Sequence, residues 1–219
     1  MHMAEDRNQY RTEFQCPACG KRDTFVMHTL IDTGKDPDAE QKIFNGDYFA
    51  HTCSRCHTVT PVLYSCMYHD SKRKLLIGLA DSEKDLEEMR LTLNGSYHRD
   101  QLDDVLHDWL KTCTVRLVRS EYELQEKVLI AHFNLDDRVI ELARKIVRNE
   151  LAEKREDIEH LYFNTAKGGY VFLIGTKEGI DGMIPFSDEM YQEIAGQYKD
   201  VLAEDTSIEI NEEWAEEVL

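Results

Sequence analysis

No stretch of this chain approaches the roughly 18 uninterrupted apolar residues that a membrane-spanning helix needs, so no membrane span is expected. The opening MHMAEDRNQYRTEF lacks the basic start and apolar run of a secretory signal peptide. Internal repeats, low-complexity runs and long linkers are also missing. Basic residues are scarce: 26 Lys and Arg face 43 Asp and Glu, a net charge of −17. An acidic surface repels phosphate backbones at long range, which disfavours nucleic acid and favours basic protein partners or plain solubility. With neither leader nor span in the pattern, the expected compartment is the cytoplasm, where thiols stay reduced and disulfides are rare.

The shortage of base is uneven. Residues 1–80 hold 10 bases and 10 acids, whereas residues 81–219 hold 16 against 33. Residues 178–219 carry 13 acids with Lys199 as their one base. A solvated acidic face is the ordinary reading of such a run. The asymmetry also suggests two units with different surfaces. A chain of 219 residues, 42% hydrophobic and 32% charged, can bury a core as a globular protein.

Two short hooks stand out, FQCPACGK at 14–21 and HTCSRCHT at 51–58. Their cysteines, Cys16, Cys19, Cys53 and Cys56, form two Cys-x-x-Cys pairs separated by 33 residues. Two residues between ligands let the backbone curl so that both sulfurs face one ion. Two such hooks supply the four thiolates of a tetrahedral Zn2+ site. Pro17 stiffens the first hook, and Gly20 suits the left-handed residue that follows it. His57 holds the matching place in the second hook, a conformation histidine tolerates better than most residues. A thioredoxin-like redox pair would open a helix, but turn-like residues follow Gly20, and a second matching hook argues against a lone redox site. Disulfides are the weakest alternative, and His57 reads as a rim residue rather than a further ligand. The expectation is a structural zinc ribbon with four cysteine ligands.

Around the hooks the pattern is strand-like from 12 to about 81, with TFVMHTLI (24–31), VTPVLYSCMY (59–68) and KLLIGLA (74–80), the last folding back as a hairpin. DPDAEQKIFNG reads as a short helix with Asp36 as N-cap, Pro37 in its first turn and Gly46 at its end. Ser82 caps a second helix, and HRDQLDDVLHDWL (98–110) places Leu102, Val105, Leu106, Trp109 and Leu110 on one side. A further helix begins with Asn134 as cap and lines up Leu135, Val139, Leu142, Ile146 and Val147. Its polar face sets Glu141 four residues before Lys145. Strands follow at HLYFN, YVFLIG and GMIPF, and then a last helix with Ser187 as cap and Met190, Ile194 and Tyr198 on one face. The fold class is α+β: a β-rich zinc ribbon over 12–81 packed with a mixed helix and hairpin unit over 82–219, with a soft boundary.

CPACG, NGDYFAHTCSRCHTVTPVLYSCMYHD, KLLIGL and RLVRSEYELQEKVLIAHFNLDDRVIEL together resemble the CpXC family of mostly bacterial proteins, over roughly 14–147. The resemblance implies that the family's four metal-type cysteines fall on Cys16, Cys19, Cys53 and Cys56. It implies no activity. The second hook departs from the family-like Cys-Pro-x-Cys by carrying Ser54, which leaves the thiols intact and touches only the stiffness of the turn.

Catalytic candidates are weak. Cys66, His69 and Asp70 sit together in CMYHD, but alternation along a strand puts His69 on the opposite face. Cys66 and Cys113 read instead as buried small hydrophobes. A four-thiolate zinc is closed and activates no water, and GTKEGIDG lacks the spacing of a phosphate cradle. Lys21, Arg22, Arg55, Lys72, Arg73 and Lys74, with Tyr48, Phe49 and Tyr68 for stacking, outline a nucleic-acid alternative that the net charge opposes. The leading reading is a module that engages another protein. A nucleic-acid-binding ribbon comes second and an enzyme third. The partner and any homo-oligomer are left open.

Overall fold

The computed structural model describes residues 8–94, 101–152 and 154–219, apart from the side chains of 101–104 and 107. Its contacts divide the chain into two compact units, Met1–Gln125 and Glu126–Leu219. The α+β class expected from the sequence is what the structure has.

The first unit begins with a hairpin, β1 (Gln9–Gln15) and β2 (Arg22–His28), closing at Gln15 opposite Arg22. β3 (Leu30–Asp32) follows, then α1 (Ala39–Asn45). Asp36 does not cap this helix. Asp38 holds the N-cap position without a side-chain bond, and Asp36 instead accepts from Lys42 Nζ at 2.6 Å and from the Tyr48 hydroxyl at 2.7 Å. Gly46 does end the helix, left-handed at φ 73°.

A second hairpin, β4 (Ala50–Thr52) with β5 (Val59–Pro61), closes at Thr52 opposite Val59. The chain breaks before β6 (Cys66–Asp70), so 59–68 is two strands rather than one. β6 pairs antiparallel with β7 (Leu75–Leu79), the hairpin read from the sequence. Every residue of β7 is buried, which is why LLIGL is continuously apolar. Ser82 accepts from the amide of Asp85 and starts α2 (Glu83–Leu93). α3 (Gln101–Leu110) lies on the expected stretch, while 98–100 and the Leu102 side chain are outside the described residues. Its stripe is not a buried face: Leu110 is buried, but Val105, Leu106 and Trp109 are exposed. β8 (Thr114–Val118), unanticipated by the sequence, pairs parallel to β7 and completes a sheet of order β3-β6-β7-β8. α4 (Glu121–His132) then runs across the boundary between the units.

The second unit is built on α5 (Asp137–Ala152). Asn134 does not cap it. Asn134 is left-handed at φ 55° and ends α4, its amide reaching Ala131 O while the Leu135 amide reaches Ile130 O, a Schellman closure. The side chain of Asp136 takes the amide of Arg138 and starts α5 instead. β9 (His160–Ala166), β10 (Gly169–Thr176) and β11 (Gly179–Phe186) form an antiparallel meander. Lys167 and Gly168, at φ 53° and 80°, make the tight turn between the first two.

The last expected helix is two, α6 (Asp188–Gln197) with Ser187 as its cap and α7 (Lys199–Glu204), parted at Tyr198. α8 (Glu212–Val218) ends the chain. Val139, Leu142, Val147, Phe163, Phe172, Phe186 and Trp214 are central to one apolar cluster in this unit.

Charges inside this unit depart from the solvated face read in the sequence. Glu141 is 3% exposed and bonds Arg144 at 2.8 Å, whereas Lys145 pairs with Glu212 and Glu216 of α8. Asp137 is buried against Lys127 at 2.7 Å rather than solvated. Glu126 pairs with Arg144 and accepts the amide of Phe163 at 2.8 Å. A carboxylate in an apolar interior survives by such partners. Burial still pushes the Glu141 carboxyl above its ordinary range.

Candidate metal centre

Each hook occupies the tip of one hairpin. In the first, the Cys16 amide bonds Lys21 O at 2.8 Å and the Gly20 amide bonds Cys16 O at 2.9 Å. In the second, Cys53 and Thr58, then His57 and Cys53, repeat both bonds at 3.0 Å. Gly20 (φ 72°) and His57 (φ 59°) are both left-handed, so the two knuckles share one backbone shape despite different residues.

This shape points two sulfurs per hook into a common space. Cys16 Sγ lies 3.6 Å from Cys56 Sγ, and Cys19 Sγ lies 3.6 Å from Cys53 Sγ. All four sulfurs fall within 4.8 Å of one another. Zn–S bonds of about 2.3 Å in a tetrahedron separate sulfurs by about 3.8 Å, so the set is compatible with one zinc ion. Disulfides, about 2.05 Å long, are not formed, and all six cysteines are free. Among the described residues no other group of His, Cys, Asp and Glu is arranged to hold a metal ion.

The thiols do not titrate alike. The hydroxyl of Thr58, and then its amide, hold Cys56 down at about 6. The amide of Lys21 favours the Cys19 thiolate, but burial and the neighbouring thiols of Cys56, Cys53 and Cys16 together push Cys19 up to about 12. A divalent cation among the four sulfurs favours the thiolate at every position.

Around the sulfurs, Asp23 of β2 reaches the second knuckle. Its carboxylate accepts the Ser54 amide at 3.0 Å and the Ser54 hydroxyl at 2.8 Å, which hold it below the usual carboxylate range. His51 is packed against Phe14 and Phe25, with ring centroids 4.5 and 6.0 Å away. Its Nε2 lies 3.4 Å from Asp23 Oδ2, off the line of a hydrogen bond. Neither Asp23 nor His51 was singled out in the sequence, since nothing local marks either as a neighbour of the other hook.

The family model described as CpXC protein matches residues 14–144, more than half the chain, and spans all four cysteines. The chain belongs to the CpXC family. No curated protein and no solved structure matches it.

Other candidates disperse. Cys66 and Asp70 share the buried face of β6 while His69 faces away, within 3.5 Å of Asp32. Asp70 is consumed by Arg73 and the Lys72 amide, and burial pushes the Cys66 thiol up to about 12. Cys113 is only half-buried, unlike the core residue expected, because it precedes β8 in a turn. Tyr48, Phe49 and Tyr68 are buried in the core and offer no stacking surface. Arg73 is tied to Glu40 and Asp70 in the β6–β7 turn, on a different sheet from the knuckles. An open cleft of about 780 Å³ in the second unit is lined by Glu156, Asp157, Glu159, Glu178 and Asp181, with Arg155 bridging Asp157 and Asp181. No described helix is long and apolar enough to cross a membrane.

Proposed function

We propose that Cys16, Cys19, Cys53 and Cys56 bind one structural zinc ion, and that the ribbon so fixed serves as a module engaging another protein. The convergence of four sulfurs to within 4.8 Å, from two knuckles of matching backbone, carries the reading. Four thiolates fill a tetrahedral zinc and leave no position for a reacting water, which favours a scaffolding role. Free thiols suit a reducing compartment such as the cytoplasm. Exposed Lys21, Arg22 and Arg55 on the knuckles support single-stranded nucleic acid as a second reading, against the net charge of −17.

Elemental analysis tests the metal: about one zinc per chain in the wild type and in Cys66→Ala and Cys113→Ala, and none in Cys53→Ala. A reduced, metal-free wild type with an unchanged melting curve overturns the reading. For the partner, affinity capture from the source cell should give a stable protein that the Cys53→Ala variant loses. A salt-dependent fluorescence shift of single-stranded nucleic acid, without such a protein, favours the second reading instead.

A further inference from the structure

The two knuckles share a backbone shape but differ at the residue after the first cysteine, Pro17 in one and Ser54 in the other. Proline fixes its own φ and stiffens a turn unaided. Serine does not, yet the second knuckle is held in the same conformation. Beside its own backbone bonds, the second knuckle is contacted by Asp23, whose two carboxylate oxygens take the Ser54 amide at 3.0 Å and its hydroxyl at 2.8 Å. The amide bond is one a proline at 54 could not make, because proline has no N–H. Asp23 itself sits on β2 opposite Phe14, one pair in from the closing pair of the first knuckle's hairpin, Gln15 opposite Arg22. The bond therefore ties one hairpin to the tip of the other. His51, wedged against Phe14 and Phe25, closes the other side of the carboxylate.

We propose that Asp23 is a positioning residue for the metal centre, clamping the second knuckle through Ser54 and supplying the rigidity that Pro17 gives the first. The inference rests on the metal reading above. Hydrogen-bonded groups behind metal ligands commonly contribute 10–100-fold in metal affinity. The clamp acts on retention of the ion, because a knuckle free to uncurl withdraws Cys53 and Cys56 together.

The test is the rate at which full-length protein, loaded with cobalt(II) or zinc, releases the metal to a competing chelator. Asp23→Ala should release it on the order of 10-fold faster or more, with altered cobalt–thiolate absorption. Asp23→Asn, which keeps one acceptor oxygen, should fall between Asp23→Ala and wild type. Ser54→Ala, which keeps the amide bond, should shift release less and in the same direction, and serves alone if Asp23→Ala does not fold. Adding Ser54→Pro to Asp23→Ala should restore slow release, an outcome that a general loss of stability would not give. Wild-type release rate and spectrum in both Asp23→Ala and Ser54→Ala overturn the clamp while leaving the metal site standing. A wild-type protein that takes up no cobalt overturns the metal reading and the clamp together.

Discussion

In the ribbon hairpins, β1, β4 and β5 contain no fully buried residue, and β2 contains one, Phe25. In Glu126–Leu219, a single cluster runs from Ile130 to Ala215 and draws on α5, the meander and three C-terminal helices. Two-stranded hairpins with so little apolar burial are marginal in water. Structural zinc in finger peptides supplies on the order of 10–16 kcal/mol of apparent binding energy, enough to fold such a segment outright. The second unit needs no such addition, because burial at about 25 cal/mol per Å² over a large cluster can carry a domain. The difference teaches that, on the proposed zinc reading, one chain pairs a ribbon that depends on its sulfur site with a unit that depends on its apolar core.

The sharpest strain on this comparison within the second unit is Phe172→Ala. Phe172 is 0% exposed at the centre of the meander and packs against Phe163 and Phe186. Truncation should cost about 3–5 kcal/mol by denaturant unfolding. Metal content should stay unchanged, and a loss of metal with it would merge the two stabilising mechanisms.

A smaller effect belongs to Gly46→Ala in the first unit. Gly46 is left-handed at φ 73°, and an added Cβ would stand 2.8 Å from Glu121 Oε1. Left-handed alanine costs roughly 1–2 kcal/mol before that clash. The loss should appear as a lower melting temperature without loss of metal, separating backbone strain from the sulfur site. A variant as stable as wild type contradicts the role given to this glycine.

The smallest effect tests the buried charges. Burial raises the Glu141 carboxyl above its ordinary value of 4.5, so the native state holds a proton that the unfolded chain releases first. That contribution is fully present at pH below about 4.5 and is lost as pH rises through the native value. Glu141→Gln removes the dependence. The stability difference between variant and wild type should therefore move in the variant's favour as pH is raised above 4.5. Parallel curves would contradict the assignment.

Much of this was legible in the sequence where the cause is local. The hooks, Gly20, His57, Gly46 and the caps Ser82 and Ser187 all act within a few residues of themselves. α4 was not legible, because Glu126 and Lys127 are buried beside Leu124 and Val128 and erase the apolar stripe. Their partners, Arg144 and Asp137, lie on another helix. Asn134 could cap either neighbouring helix by composition, and the end of α4 decides which. Asp23 escaped notice because its partner is 31 positions away, beyond any periodicity.

Hydrogen exchange before and after strong chelation tests the contrast between the two units most directly. Stripping the metal should expose the two ribbon hairpins, β1–β2 and β4–β5, while α5 and the β9–β10 pair keep their protection. Uniform loss along the chain, or a ribbon that stays protected once the metal is gone, would contradict it.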